Sequence, residues 1–358
     1  MWESYFFLLF FIFLVEHRAA VKVQLISVIL PMNIFYLSVF LVFVASYAED
    51  LPHCIGSGHH PRICANEDTE CGEWQGKTWL PTKCRYRDIS SEDARKCMKD
   101  KVLACIGDSM IRNLCMGVAF FLSGQTPENG GDLSWDRRFE KEGLDWTNST
   151  KVENGYILPT KENAEKNNWK WQVQIWELHS NSLIREGRVE NVLSNKMPEL
   201  ISSMGIRNID FALWAHGIND YGWFDTPPYG EKFYEQMTGQ WLHIRNKMSV
   251  PSIWASMNNN CKEIYTPDAL YMGPWIDDEK KLKGFHMIED SNHYVHKKLT
   301  EQGLPYFDAS APLRSPQRCN ISFNGLHVKM WVDIVRAKIL FNHLCDEDLN
   351  WVAAIDRF

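Results

Sequence analysis

The chain has no excess of positive charge, and it lacks the motifs that bind nucleotides. Its 358 residues carry 38 Lys and Arg against 45 Asp and Glu, a formal net charge of −7. That balance leaves no basic footprint, so we expect no nucleic-acid partner. A P-loop, a dinucleotide-binding glycine fingerprint and internal repeats are all missing from the sequence. We therefore expect neither a nucleotide cofactor nor a repeat architecture.

The ten cysteines lack the C-x-x-C spacing that is typical of zinc and redox motifs. Cys105, in a predicted strand, and Cys115, in the helix after it, could be buried free thiols. Five others lie in the stretch from Cys54 to Cys97, which is too polar to form a core alone. Disulfides are expected to stabilise this stretch. The disulfide candidates are Cys54, Cys64, Cys71, Cys84, Cys97, Cys261, Cys319 and Cys345.

A zinc site is the alternative use of the cysteine-rich stretch. His53, His59 and His60 with Cys54 and Cys64 are the candidate ligands. We favour disulfides, and the prediction for metals is none.

The N-terminus is strongly apolar. Val23–Ala48 is a run of 26 uncharged residues, long enough to span a bilayer. From Met32 onward it also has the form of a secretory signal with cleavage after Ala48. The alternative is an uncleaved signal anchor, with Arg18 and Lys22 holding the short N-terminus in the cytoplasm. Either interpretation predicts that the rest of the chain lies in the secretory lumen or outside the cell, with membrane contact only through this segment.

Two sequons fit such a compartment. Asn148-Ser149-Thr150 and Asn320-Ile321-Ser322 each match the acceptor pattern for an N-linked glycan. Glycosylation is therefore predicted at Asn148 and Asn320.

Apolar periodicity predicts strands alternating with helices. The predicted strands are 101–106, 171–178, 209–215, 252–257 and 305–308, and the predicted helices are 109–122, 189–204, 234–248, 290–302 and 328–344. Residues 124–170 are polar and are predicted to be a long loop region or an insertion. In the lead-in, only a short helix capped by 90–93 and reaching Cys97 looks regular.

This alternation predicts a three-layer α/β/α domain around a central parallel, doubly wound sheet. The predicted division is a signal peptide or anchor at 1–48, a disulfide-rich lead-in packed on the main domain at 49–100, the α/β domain at 101–347, and a tail at 348–358.

Three loops, each expected to follow a strand, carry chemistry-bearing residues. Gly107-Asp108-Ser109 puts a hydroxyl at a strand-to-helix turn, beside the unpaired N–H groups of a helix N-terminus. Gly217–Asp220 contains a glycine that permits close backbone approach and an amide at Asn219. His327 opens the last helix and is a candidate base for Ser109. Ordinary turn chemistry explains each loop equally well when it is taken alone.

The three loops together resemble the ordered signature of the SGNH or GDSL hydrolase superfamily. Within it, the chain most resembles the PC-esterase group, which includes trichome-birefringence-like polysaccharide acetyltransferases, sialate O-acetyltransferases, and neurexophilin-and-PC-esterase-domain proteins. The closer match comprises Trp79-Leu80-Pro81 before Cys84, Arg112 after the GDS turn, and Asn324-Gly325-Leu326-His327. It extends over residues 70–347 and is more specific for the fold than for the substrate.

The resemblance implies roles for these positions. Ser109 would be the nucleophile of an acyl-enzyme, and His327 the general base and then acid. Gly217 and Asn219, with the Ser109 backbone N–H, would form the oxyanion hole. Arg112 would contact substrate or pair with an acidic neighbour. Gly155 is a candidate for a further oxyanion-hole glycine.

One position departs from the family pattern, because Asn324 stands where the family has the aspartate that orients the histidine. Asparagine can orient a histidine through its carbonyl oxygen, but it supplies no negative charge. Asp220, Asp225 and Asp308 are alternative acceptors.

Two functions are therefore open at this point. The first is an O-acyl transferase or esterase, with O-acetyl groups on a glycan or glycoconjugate as the favoured substrate, a possible acetyl donor and no cofactor. The second is a catalytically impaired secreted protein that binds a glycan or a protein partner.

Overall fold

The structure is a computed structural model that describes residues 54, 71–125, 127, 150–152, 155–177, 208–215, 231–248, 250–258, 261, 278–323 and 327–345. These residues all belong to one unit, Pro52–Phe358. The apolar N-terminal runs and the predicted helix at 189–204 lie outside them. Of the helices that are described, none has the length and apolarity to cross a membrane.

The described elements run in the following order. They are β1 (Gly72–Gln75), β2 (Thr78–Pro81), α1 (Ser91–Cys97), β3 (Val102–Gly107), α2 (Ser109–Ser123), β4 (Thr150–Val152), β5 (Gly155–Leu158), α3 (Lys161–Asn167), β6 (Gln172–Glu177), β7 (Phe211–Ala215), α4 (Glu231–Met248), β8 (Ser252–Ala255), α5 (Asp278–Glu301), β9 (Tyr306–Phe307), a 3-10 turn (Ala311–Leu313), α6 (Arg318–Ile321) and α7 (Met330–Leu344).

Seven strands form one sheet in the order β4-β5-β6-β3-β7-β8-β9. The five strands from β6 to β9 are parallel. Numbered among themselves in chain order they are arranged 2-1-3-4-5, so the winding direction reverses between β3 and β7. The predicted doubly wound α/β class is confirmed. In such sheets ligands bind at the carboxyl ends of the strands that flank the reversal.

The two faces of the sheet bury separate apolar cores. Along β3, Leu103 and Cys105 join the core under α2 and α7, whereas Ala104 and Ile106 join the core under α4 and α5. This division follows from the strand repeat, in which successive side chains point to opposite faces. Burial on both faces also explains why β3 is a continuous apolar run in the sequence.

The interpretation of 124–170 as loop or insertion is wrong in part, because β4, β5 and α3 lie within it. β4 and β5 run antiparallel to their neighbours and close one edge of the sheet, so the sheet is not parallel throughout. Strands of three and four residues are too short to show alternation in the sequence. The lead-in likewise contains an unpredicted hairpin, β1–β2, whose strands are four residues each.

One helix is longer than predicted. α5 begins at Asp278 rather than near residue 290. Its first residues, DEKK, are charged and carry no apolar stripe, although the glutamate and the two lysines favour helix. Periodicity therefore detects only the second half of this helix.

Disulfides join Cys54 to Cys84, Cys97 to Cys345 and Cys261 to Cys319. Cys71 is also disulfide-bonded, and Cys64 lies outside the described residues. Because Cys54 is bonded to Cys84, it is removed from the zinc ligand set. Within the described residues, no group of three His, Cys, Asp or Glu is placed to hold a metal.

The expectation that Cys105 and Cys115 are free thiols is wrong, because they form a disulfide. The sequence places one in a strand and the other in the next helix. It does not show that the helix folds back so that both side chains face each other, with their Cα atoms 6.4 Å apart.

The lead-in packs on the segment that follows β9. The Trp74 indole N–H donates to the Pro312 carbonyl at 2.9 Å, and the Cys71 N–H donates to the Arg314 carbonyl at 2.8 Å. At its other end, the bond from Cys97 to Cys345 joins α1 to the end of α7. The lead-in is thus fastened to the segments that flank His327.

Candidate active site

The turn that carries Ser109 requires glycine at position 107. Gly107 pairs with Ala215 across β3 and β7, and its φ is +152°. A Cβ at Gly107 would lie 1.8 Å from the Ala215 carbonyl oxygen. The absence of a side chain therefore lets β3 end directly against β7, at the reversal point of the sheet.

Helix α2 begins immediately after this turn. Asp108 is fully buried and caps the helix, with its Oδ1 accepting from the Met110 N–H at 3.0 Å. Ser109 is the first helical residue, and among the described residues nothing accepts from its backbone N–H. The half-buried Ser109 hydroxyl thus lies beside the positive end of a helix dipole, where an oxyanion would be stabilised.

His327 faces Ser109 from the far end of the chain. Its Nε2 lies 2.9 Å from Ser109 Oγ, within hydrogen-bond distance. The His327 carbonyl accepts from the Phe323 N–H at 2.8 Å and from the Ser322 hydroxyl at 3.3 Å. A bridge between Ser322 and Val328 closes the same loop. The loop follows the short helix α6 rather than a strand, which corrects that part of the prediction.

Helix α2, which begins at Ser109, touches α7, which begins three residues after His327. A Cβ on Gly117 of α2 would lie 2.6 Å from the Asp333 backbone carbonyl of α7. Asp333 is fully buried and paired with Arg336 at 2.7 Å, and burial raises the pKa of Asp333 to about 7. Arg336 Nε also donates to the Ala309 carbonyl at 2.8 Å. The start of α2 and the segment that follows His327 are therefore joined by close helix packing.

A second ion pair, which is partly buried, lies at the carboxyl ends of β8 and β9. The Asp308 carboxylate accepts from Arg314, from Ser310 at 2.9 Å and from Ser256 at 3.2 Å. Burial opposes ionisation of Asp308, but the charge and hydrogen bonds of Arg314, with the Ser310 hydroxyl, lower its pKa. Asp308 is thus engaged with Arg314, Ser310 and Ser256.

A clamp that the sequence analysis missed holds the segment after β8. The Asn292 side chain of α5 donates to the Met257 carbonyl and accepts from the Met257 N–H, both at 2.9 Å. The next N–H, of Asn258, donates to the Met110 sulfur at 3.3 Å. Nothing in the sequence marks Asn292. Ser256 could have been found because it lies at the end of a predicted parallel strand, as does Asp308, which was already a candidate acceptor.

Of the other predicted site residues, the structure describes some and not others. Arg112 is buried one turn after Ser109, and its Nε donates to Asn113 Oδ1 at 3.3 Å. Gly155 begins β5, where a Cβ would lie 1.7 Å from the Ile175 carbonyl oxygen, so close strand packing explains it. Asn320 is exposed. Those outside the described residues are Asn148, Gly217, Asn219, Asp220, Asp225 and Asn324.

This arrangement can perform nucleophilic acyl chemistry. The imidazole Nε2 is placed to accept the Ser109 proton, and the hydroxyl then attacks an electrophilic carbon above the helix N-terminus. A nucleophile and a base in hydrogen-bond contact at the reversal point of a doubly wound sheet are the parts that such chemistry requires.

The sequence matches no family model and no curated protein. Several solved structures are similar to the chain, and three of them each align with 67% of its length. They are a GDSL-like lipase from Bacteroides thetaiotaomicron (12% identity, 86% of that chain, TM-score 0.35), a lipase/acylhydrolase from Enterococcus faecalis (11%, 93%, 0.33) and the acetyl xylan esterase AlAXEase (9%, 98%, 0.35). Because the identities and TM-scores are this low, the roles of Ser109 and His327 rest on this chain's own geometry.

Proposed function

We propose that the protein is a serine esterase or O-acyltransferase of the SGNH type, in which Ser109 forms an acyl-enzyme. The observation that carries the proposal is the 2.9 Å contact between Ser109 Oγ and His327 Nε2 at the N-terminus of α2. The preceding turn, with its obligatory Gly107 and the Asp108 cap, supports the same assignment.

The proposed reaction has two halves. Ser109 Oγ attacks the acyl carbon while His327 Nε2 takes its proton, and the imidazolium then protonates the departing alcohol as the ester bond breaks. Water, or an acceptor hydroxyl, next attacks the acyl-enzyme, gives its proton to His327 and releases Ser109. The Ser109 N–H, with Gly217 and Asn219, would stabilise the oxyanion in both halves.

For the substrate we propose an O-acetylated glycan in the secretory pathway. The PC-esterase resemblance supports the acetyl group and the carbohydrate. The bonded cysteines support an oxidising compartment, either as a secreted or luminal protein or as one held by a signal anchor in the Golgi or plasma membrane. Exposure of the Asn320 sequon is compatible with a glycan there.

The first test is covalent labelling with an alkyl fluorophosphonate. We expect Ser109 to form a phosphorus–oxygen bond with release of fluoride, and peptide mass spectrometry to find one adduct on the peptide that contains Ser109. The Ser109→Ala protein should stay unlabelled. Absence of the adduct in the unaltered protein, or an adduct on another serine, would contradict the assignment.

The second candidate function is binding without turnover, which Asn324 favours. In a serine-protease triad, replacing the aspartate by asparagine lowers kcat about 10⁴-fold. A cleft that has lost this carboxylate could serve to bind a glycan or a protein partner.

Restoring the carboxylate distinguishes the two functions. We expect Asn324→Asp to raise the rate of aryl acetate hydrolysis by about 10²- to 10⁴-fold, because aspartate stabilises the imidazolium of His327. The measurement is kcat for the variant and the unaltered protein, with Asn324→Ala as the control. An unchanged rate in an active enzyme would mean that another acceptor already orients His327.

A further inference from the structure

We infer that the Cys105–Cys115 disulfide is a positioning element for Ser109, one that sets where the nucleophile stands relative to His327. The inference rests on the proposed function for its chemical consequence. Its structural basis is that this disulfide encloses the nucleophile turn, with one cysteine on each side of it.

The bond has a direct mechanical relation to Ser109. Cys105 lies in β3 two residues before Gly107, and Cys115 lies in α2 six residues after Ser109. At 1.5 Å per residue, Cys115 is roughly 9 Å along the helix axis from the nucleophile. Both side chains are fully buried in the core between sheet and helix. The bond therefore prevents α2 from sliding along its axis or rotating relative to the strand that delivers Ser109.

A second contact joins the same helix to α7, which begins three residues after the base. Gly117 stands two residues after Cys115, which places it about 200° around the helix. Gly117 meets the backbone of Asp333 in α7, while Cys115 meets β3. Helix α2 is thus held to the sheet on one side and to α7 on the other. Loss of the disulfide leaves α2 held by noncovalent packing alone, and we expect the position of Ser109 relative to His327 to become less sharply defined.

The disulfide between Cys97 and Cys345 provides a matched control. It lies at the far end of α7, roughly 22 Å along the axis from the end nearest His327. It spans 248 residues, whereas the bond around the turn spans only 10. Because a disulfide that closes a longer loop stabilises more, removing the distant bond should lower the melting temperature more. Stability and nucleophile position are therefore expected to respond in opposite order.

The experiment compares two disulfide deletions, Cys105→Ala/Cys115→Ala and Cys97→Ala/Cys345→Ala. Amide hydrogen exchange, read by mass spectrometry on peptides covering 107–112, measures the order of the turn whether or not the protein is an enzyme. We expect exchange about tenfold faster in the first deletion and near the unaltered rate in the second. A volume-filling pair, Cys105→Val with Cys115→Ala, guards against a cavity as the cause, and it should show the same increase.

The kinetic arm uses aryl acetate well below both melting temperatures. We expect the turn deletion to lower kcat about tenfold or more with KM within about twofold, because a small misplacement of reacting atoms costs rate rather than binding. The distant deletion should leave both within about twofold.

Equal protection of 107–112 in the two deletions would overturn the inference. So would equal kcat in an active protein. If the unaltered protein has no activity, the proposed function fails and the exchange result alone decides whether the disulfide orders the turn. If the alanine pair does not fold, the volume-filling pair gives the decision.

Discussion

Ser109→Ala, His327→Ala and the double replacement are expected to reduce aryl acetate hydrolysis to one common residual rate. The two side chains act as a unit through their 2.9 Å contact, so removing either leaves the other without a function. In a serine protease, removing the nucleophile or the histidine costs about as much as removing the whole triad, roughly 10⁶-fold in kcat. Additive losses in the double variant would contradict a shared proton-transfer step.

The size of this loss in kcat also shows how well Asn324 orients His327. If Asn324 imposes the full cost of about 10⁴-fold, the unaltered enzyme stands only about 10²-fold above the residual rate. If asparagine orients the imidazole well, the gap approaches 10⁶-fold. Steady-state kcat on an acetylated aryl ester measures this gap, and Ser256→Ala is a control that removes a hydroxyl outside the pair. Equal rates for the Ser109→Ala and unaltered proteins would exclude the enzyme function.

Gly107→Ala is expected to destabilise the fold by more than about 4 kcal/mol, the range that single substitutions reach only through a named structural conflict. The conflict is the 1.8 Å approach of the new Cβ to the Ala215 carbonyl oxygen, between two central strands. Neither atom can yield, because both are fixed to the backbone of a sheet that is buried on both faces. A positive φ adds strain to the same residue.

Gly239→Ala is the matched control, because the substitution is identical and the surroundings differ. Gly239 lies exposed in α4, and a Cβ there would meet no atom within 4 Å. Alanine in a helix interior is favoured over glycine by about 0.5 to 1 kcal/mol, so this variant should be slightly more stable. Urea unfolding followed by circular dichroism measures both free energies. A loss below about 1 kcal/mol for Gly107→Ala would contradict the strand geometry.

The parallel part of the fold could be predicted because each parallel strand is buried on both faces and is therefore a continuous apolar run. β3 from Val102 to Gly107 and β7 from Phe211 to Ala215 illustrate this. Strands that contribute only a few residues to the core cannot be predicted in this way. β4 has three residues, and its partner β5 has four, so neither displays a period.

In the candidate site, too, some residues could be predicted from the sequence and others could not. Ser109 and His327 could be singled out because strand-to-helix turns and helix starts have local sequence signals. The clamp by Asn292 and the bond between Cys105 and Cys115 could not, because each depends on how one element lies over another. Asp308 could be singled out because it ends a predicted strand, but its partner Arg314 was visible only in the structure.

The packing of α7 on α2 has a consequence for how the protein is made. Ser109 and His327 are separated by 218 positions, and α7 is the final described helix of the chain. At about 5 to 20 residues per second, a ribosome finishes the nucleophile helix roughly 10 to 40 seconds before it supplies the base. Until α7 settles against Gly117, the nascent chain holds an unactivated serine. Reactivity toward esters would thus begin only after the last described helix has packed, and it would be a property of completed chains.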